Sequence, residues 1–342
     1  MDAMQATSTL PAGSFFVGID VAKDKLDLAR SDSDRVQAFP NDPPGIAQIV
    51  QILTAGAGAG AAAAASRPAT VVVEATGGLE RPLMNALLDA SLPVALVHPG
   101  RVRHFAKGLG ILSKTDRIDA RVLVRFGQLA EPRLAEKQSA NHAELQALVV
   151  CRRQLNVTRV QQANRLGATT DSRTAKRSIQ AVIRTLDKQI EKLDKQIRQL
   201  IDADDDFKHL DGLLQSVPGV GPTLSATLTA ELRELGETDR WEIGALAGVV
   251  PFNHDSGKMA GKRCIRGGRT AVRCVLYMAT VAAIQFNPVI KAFSDRLKQA
   301  GKANKVRIVA CMRKLLTLLN AMVRDNLTWD QLNIVKKLEL NP

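Results

Sequence analysis

Cysteine is scarce. There are four in 342 residues, Cys151, Cys264, Cys274 and Cys311, with no C-x-x-C spacing among them. This excludes a disulfide-stapled scaffold and a zinc ribbon, and the thiols read as reduced side chains of a cytoplasmic protein. Aromatic residues make up only 4% of the chain, with a single tyrosine, Tyr277, in an apolar stretch where it is expected to pack in a core. No apolar run reaches the ~20 residues that cross a bilayer, nothing resembles a signal peptide, and the Ala/Gly tract from Ala55 to Ala65 is too short and too weakly apolar to span. A phosphate-binding P-loop is also missing: Gly257 to Gly261-Lys262 is one residue short, and Arg263 stands where Ser or Thr is required.

Acidic residues are almost absent from one long segment. Between Lys258 and Leu315 the chain places fourteen Lys and Arg against one acid, Asp295. That local surplus equals the net charge of the whole chain, +13, so the remainder nearly cancels. A cationic surface concentrated in this way is the footprint of a polyanion partner, most simply nucleic acid. A merely solvated basic surface is the plainer alternative.

What is present divides into three stretches. Residues 14–135 alternate strand-like and helix-like patterns, with strands expected at Phe15–Val21, Lys25–Ala29, Val71–Glu74 and Val94–Val97. Helices are expected after Pro43, from Leu79 to Asp89 and from Asp116 to Leu129, giving an α/β layer fold. Residues 140–206 read as wholly helical. Ile179, Ile183, Leu186, Ile190, Leu193, Ile197 and Leu200 recur at 4-3 spacing, a heptad seam that suits two antiparallel helices or pairing between subunits. Arg152 interrupts the earlier half. Asp204-Asp205-Asp206 marks a boundary and is expected to be solvated, not to bind metal. Residues 210–326 read as a compact, mainly helical C-terminal domain.

Four carboxylates stand out. Asp20 ends the apolar run Phe15-Phe16-Val17-Gly18-Ile19, Glu74 ends Val71-Val72-Val73, and Asp116 and Asp119 lie three apart at the start of an expected helix. On a shared helix face two carboxylates repel unless a cation lies between them. Acids at the ends of buried strands, joined by such a pair, suit a divalent-metal centre for phosphoryl transfer, and oxygen donors favour Mg²⁺ or Mn²⁺ over zinc. Asp24 and Asp27 alternate with apolar neighbours and are expected to face solvent.

Two motifs follow in the basic half. Val217-Pro218-Gly219-Val220-Gly221 is similar to the turn of a helix-hairpin-helix, in which Gly219 and Gly221 would let backbone N–H groups meet a phosphate without reading sequence. An ordinary helical corner is the alternative. The loop His254-Asp255-Ser256-Gly257-Lys258 leads into Lys262, Arg263, Arg266, Arg269 and Arg273. Its His, Asp and Ser are adjacent, and neighbours rarely point at one another as a catalytic triad requires. By residue chemistry alone Ser256 is a plain loop serine.

Together these residues resemble the DEDD-type transposases of bacterial insertion sequences (the 110/1111 family), bridge-RNA-guided serine recombinases. The likeness rests on Val17-Gly18-Ile19-Asp20-Val21-Ala22-Lys23, Glu74-Ala75-Thr76-Gly77-Gly78, Lys114-Thr115-Asp116-Arg117-Ile118-Asp119-Ala120, the Pro-Gly-Val-Gly turn, Asp255-Ser256-Gly257 and Cys311-Met312-Arg313-Lys314-Leu315-Leu316. It implies an RNase H-like, RuvC-type N-terminal domain, which joins the helical coiled-coil middle and the C-terminal domain with a helix-hairpin-helix-like motif read above. It further implies metal-binding acids at Asp20, Glu74, Asp116 and Asp119, and Ser256 as the nucleophile that attacks a DNA phosphodiester. Donor and target DNA, a noncoding guide RNA, and a homodimer or homotetramer that shares its active sites between subunits are the implied partners. The Ala55–Ala65 tract departs from the family as an insertion, and Phe252 stands where a more polar or basic residue is expected. The rival readings are a RuvC-like nuclease that hydrolyses DNA with water, which needs the acids but no serine, and a non-catalytic nucleic-acid scaffold.

Overall fold

The computed structural model describes residues 14–55, 67–113, 115–169, 171–253, 261 and 263–332, which divide into two compact units, Met1–Gln138 and Ser139–Pro342. His254, Asp255, Ser256, Lys258 and Lys262 lie outside the described residues, as does the Gly56–Ala65 part of the Ala/Gly tract.

In the first unit, strands β1 (Phe15–Val21), β2 (Lys25–Arg30), β3 (Ser33–Pro40), β4 (Pro68–Glu74) and β5 (Val94–Val97) form one sheet in the order β3-β2-β1-β4-β5. β1 pairs antiparallel with β2 and parallel with β4, which pairs parallel with β5. Three antiparallel strands continued by two parallel ones are the layout of an RNase H-like fold.

Strand alternation sorts the side chains onto two faces. Val17, Ile19, Leu26, Leu28, Val71 and Val73 point to the face covered by α1 (Pro43–Thr54) and α2 (Arg81–Asp89). Ala29 and Val72 point to the opposite face, where α4 (Asp116–Ala130) lies; α3 (Pro99–Gly108) contributes Val102 and Ala106 to the same cluster as Val72. With both faces covered, β1 and β4 become near-continuous apolar runs.

Two elements escape the apolar pattern. β3 is an edge strand of mostly exposed polar residues, the composition that protects an open sheet edge. The apolar residues of α3 are diluted by Arg101, Arg103, His104 and Lys107; it is started by Pro99 and by the His98 ring, which accepts the Gly100 N–H at 3.0 Å. Asp27 corrects an expectation: it is 3% exposed, buried where solvent contact was expected.

The second unit opens with the hairpin α5 (Ala140–Ala168) and α6 (Arg173–Ala203). Arg152 pairs with Asp194 and Arg159 with Asp187, so the helices run antiparallel, and the charge that broke the α5 pattern is matched from across the hairpin. The C-terminal end of the α6 heptad seam packs within the chain. Ile197 and Ile201 join Leu145 and Val149 in a cluster with Ala226 and Ala230 of α8 (Pro222–Glu231).

α7 (Asp205–Gln215), α9 (Glu242–Leu246), α10 (Thr270–Phe286), α11 (Pro288–Gln299) and α12 (Asn304–Asp325) complete this unit with a two-stranded ribbon, β6 (Pro251–Phe252) and β7 (Cys264–Ile265). Asp204 caps α7 through the Phe207 N–H, a structural use of that acid. Leu214, Leu228, Leu276, Leu315 and Leu319, all fully buried, centre the core. Tyr277 is 40% exposed on α10, not packed in the core as expected. Among the described residues no single helix is long and apolar enough to cross a membrane.

Candidate metal centre and nucleic-acid interface

The four acids singled out by the sequence converge on one face of the first unit's sheet. Asp20 shares the parity of Gly18 on β1, and Glu74 that of Val72 on β4, so both carboxylates point to the side on which α4 packs. Gly18 makes this approach possible. A Cβ there would lie 2.3 Å from the Ala120 carbonyl oxygen and 2.7 Å from the Val124 nitrogen, inside the α4 backbone itself. Without that side chain α4 lies against β1, bringing its first turn, with Asp116 and Asp119, to the end of the strand. Thr115 starts the helix by accepting the Ile118 N–H at 3.3 Å.

The sequence missed a fifth acid. Asp27 faces Asp20 directly across the β1–β2 register, so the two side chains share a face. Lys25 answers it: its ammonium lies 2.8 Å from Asp27 Oδ2 and 2.9 Å from Asp116 Oδ2, tying β2 to the start of α4. The signal was present in Asp20-x-x-x-x-x-x-Asp27, because a short hairpin returns the second acid opposite the first. Reading Asp27 by its neighbours' polarity alone hid this.

Electrostatics confirm the convergence. Burial first, and then the charges of Asp119, Glu74, Asp116 and Asp27, together raise the Asp20 carboxyl from 3.8 to about 6. Glu80, 6% exposed, holds the loop that follows Glu74. One carboxylate oxygen accepts the Thr76 N–H at 3.0 Å, the Thr76 hydroxyl at 2.8 Å and the Gly78 N–H at 2.8 Å. Burial acts to raise its pKa, but these donors prevail and hold it below the usual glutamate range.

The donor set fits a hard divalent cation in kind: every candidate ligand is a carboxylate oxygen, and their mutual repulsion adds to burial in raising Asp20. The ligands are not gathered in advance. Among the described residues no three His, Cys, Asp or Glu side chains stand close enough together to hold a metal ion as they are.

In the second unit, the two glycines of the Pro-Gly-Val-Gly turn differ in kind. Gly219 has φ +97° and packs against α10, where a Cβ would meet the Ala283 backbone at 2.5 Å. Gly221, the N-cap of α8, has nothing within 4 Å of its Cβ position and keeps its backbone approachable. Both line an open cleft of about 1020 Å³, which also reaches Arg152 and Arg198. Asp211 braces the turn from beneath: it is 4% exposed and accepts the Ser225 hydroxyl at 2.6 Å and the Arg198 guanidinium at 2.8 Å.

The expected phosphate-binding cations also divide. Arg263 and Arg266 are exposed. Arg269 is clamped by Glu234 through bonds of 2.6 and 2.8 Å, and Arg273 donates to the Gly267 carbonyl at 2.6 Å, bracing the chain after β7.

Known protein families match stretches of both units. Residues 17–172 match a family described as transposase, and residues 211–295 one described as the IS116/IS110/IS902 transposase family. The pilin gene-inverting protein of Moraxella bovis is 30% identical over 92% of this chain and 98% of its own length. A 42 kDa protein of insertion element IS900 from Mycobacterium paratuberculosis is 30% identical over 33% of this chain and 29% of its own. Among solved structures, Thermus thermophilus RuvC is 15% identical, covering 35% of this chain and 99% of that one with a TM-score of 0.25. The chain thus belongs to the IS110-type family of insertion-sequence transposases.

Proposed function

We propose that this protein cuts and rejoins the DNA strands of a mobile element, with the first unit supplying a carboxylate centre and the second a serine nucleophile. One observation carries the reading: Asp20, Glu74, Asp116 and Asp119 lie on one sheet face, where burial and then their charges raise Asp20 to about 6. Isolated surface acids would not perturb one another in this way. These residues would hold Mg²⁺ or Mn²⁺, which when bound supplies Lewis-acid polarisation of a phosphate oxygen.

Ser256 takes the role of nucleophile. Its Oγ forms a bond to phosphorus as the P–O bond to the departing strand breaks; the serine proton is lost and the departing oxygen gains one. A hydroxyl of the exchanged strand later attacks the same phosphorus and releases the serine, conserving the phosphodiester. Arg263 and Arg266, with Lys258 and Lys262, neutralise the backbone of donor and target DNA, while Gly221 offers its N–H to a phosphate. Sequence choice is delegated to a guide RNA, and the two units of one active site come from different subunits of a homodimer or homotetramer.

The test is a denaturing gel for a protein–DNA adduct, with Mg²⁺ and RNA varied independently. A band that needs Mg²⁺ and is lost in Ser256→Ala, with nucleic-acid binding retained, supports the reading. Free DNA ends without any adduct assign the chain to water-driven hydrolysis instead. Asp20→Ala and Asp119→Ala variants that change nothing but stability would make it a scaffold.

A further inference from the structure

The ammonium of Lys25 sits among acids that a metal would be expected to use. Its two partners differ in a way that gives it a direction. The Asp27 side chain is 5% exposed and lies at 2.8 Å, on a strand fixed by pairing on both sides. The Asp116 side chain is 56% exposed and lies at 2.9 Å, in the first turn of α4. A buried carboxylate loses more than an exposed one when its counter-charge leaves, because water cannot replace it as well. Asp27 is therefore the anchor of Lys25, and Asp116 is the partner it can release.

We propose that Lys25 is a tethered counter-ion that regulates loading of the carboxylate centre: anchored on Asp27, it occupies Asp116 and must yield that carboxylate before a divalent cation can take it. The proposal rests on the metal-centre reading above. It explains why five acids tolerate one another around the end of β1 while no three of them form a ready cage. It also gives Asp27 a task distinct from that of the other acids, as the seat of the competitor and not a ligand. Two cations contending for one exposed carboxylate make each bind more weakly, by an amount set by a single partly solvated ion pair. That corresponds to roughly two- to fivefold in metal affinity.

The experiment titrates Mn²⁺ alone into the full-length protein, without DNA, and reads free Mn²⁺ by electron paramagnetic resonance. Lys25→Met removes the charge; Lys25→Gln removes it while keeping hydrogen-bond donors, and so covers the case in which the methionine variant does not fold. Lys25→Arg keeps the charge. The expected result is about two- to fivefold tighter Mn²⁺ binding in the Met or Gln variant, with Arg close to wild type. Unchanged or weaker binding in the neutral variants overturns the proposal, weaker binding meaning that Lys25 organises the ligands. Asp20→Asn separates the two levels. If wild type binds no Mn²⁺, or if Asp20→Asn leaves binding untouched, the metal-centre reading fails and takes the proposal with it.

Discussion

Replacing Asp20 with Asn should make the first unit more stable at neutral pH while abolishing its chemistry. The carboxyl is shifted from 3.8 to about 6, first by burial and then by Asp119, Glu74, Asp116 and Asp27. An acid whose folded-state pKa exceeds its unfolded value gives stability that is complete below about pH 3.8 and is lost as the pH rises through 6. At pH 7.5 the native state therefore carries an ionised group it would rather hold neutral. At about 1.4 kcal/mol per pKa unit the full shift is worth about 3 kcal/mol. Asp20 retains solvent contact, so screening reduces this to about 1.5 kcal/mol. Asn is neutral at every pH and recovers that amount above pH 6, and almost nothing near pH 4.

The assay must report on the first unit. Both tryptophans, Trp241 and Trp329, and the single tyrosine lie in the second, so intrinsic fluorescence follows the other half of the molecule. Native-state hydrogen exchange of the β1 and β4 amides, in chelator and corrected for intrinsic rates, reads the correct half. Asp20→Asn should protect these amides about tenfold more at pH 7.5, with the gain fading towards pH 4. Equal or lower protection at pH 7.5, or a gain that persists at pH 4, would refute the raised Asp20 carboxyl. Loss of strand cleavage in the same, more stable variant would then identify Asp20 as an acid kept for chemistry at a cost in stability.

Gly18→Ala should act in the opposite sense: its methyl would enter the α4 backbone, costing about 1–3 kcal/mol and moving the first turn of α4 away from Asp20, visible as loss of both β1 protection and Mn²⁺ affinity. Arg266→Ala should lower the slope of log affinity against log salt for DNA by about one, as expected for one lost phosphate contact. Arg269→Ala should leave that slope unchanged and instead cost about 1–2 kcal/mol of second-unit stability, followed by tryptophan fluorescence in urea, because it takes the guanidinium partner from Glu234. Ser256→Ala should retain DNA affinity and lose only the covalent adduct.

The placement of the acid centre was legible because strand alternation is a rigid rule. Once Phe15–Val21 and Val71–Glu74 are strands buried on both faces, Asp20 and Glu74 have fixed sides. A glycine at position 18 in such a strand already signals a close backbone approach. Asp27 was not legible by the same route. Its apolar neighbours Leu26 and Leu28 suggested a half-buried strand with an outward acid, whereas its outward side is where α4 and Lys25 lie. β3 was missed because an edge strand is polar by necessity, and α3 because cations cover most of its surface. The hairpin partner of the α6 seam became visible only when Arg152 and Arg159 found their acids across the turn, contacts that one helix's sequence does not encode.

Charge density in sequence also overstates a binding footprint, for a physical reason. A domain rich in arginine must hold its own carbonyls and carboxylates, and a forked guanidinium does so well, so some of the surplus is spent inside. Arg269 is committed to Glu234 and Arg273 to the Gly267 carbonyl; Arg313 lies 4.0 Å over the ring of Trp241. Arg263 and Arg266, by contrast, are exposed beside β7, the strand that closes the segment carrying Ser256. Such a division leaves Arg263 and Arg266 as the cations expected to meet a phosphate, and the braced ones, which composition counts equally, as expected not to contribute.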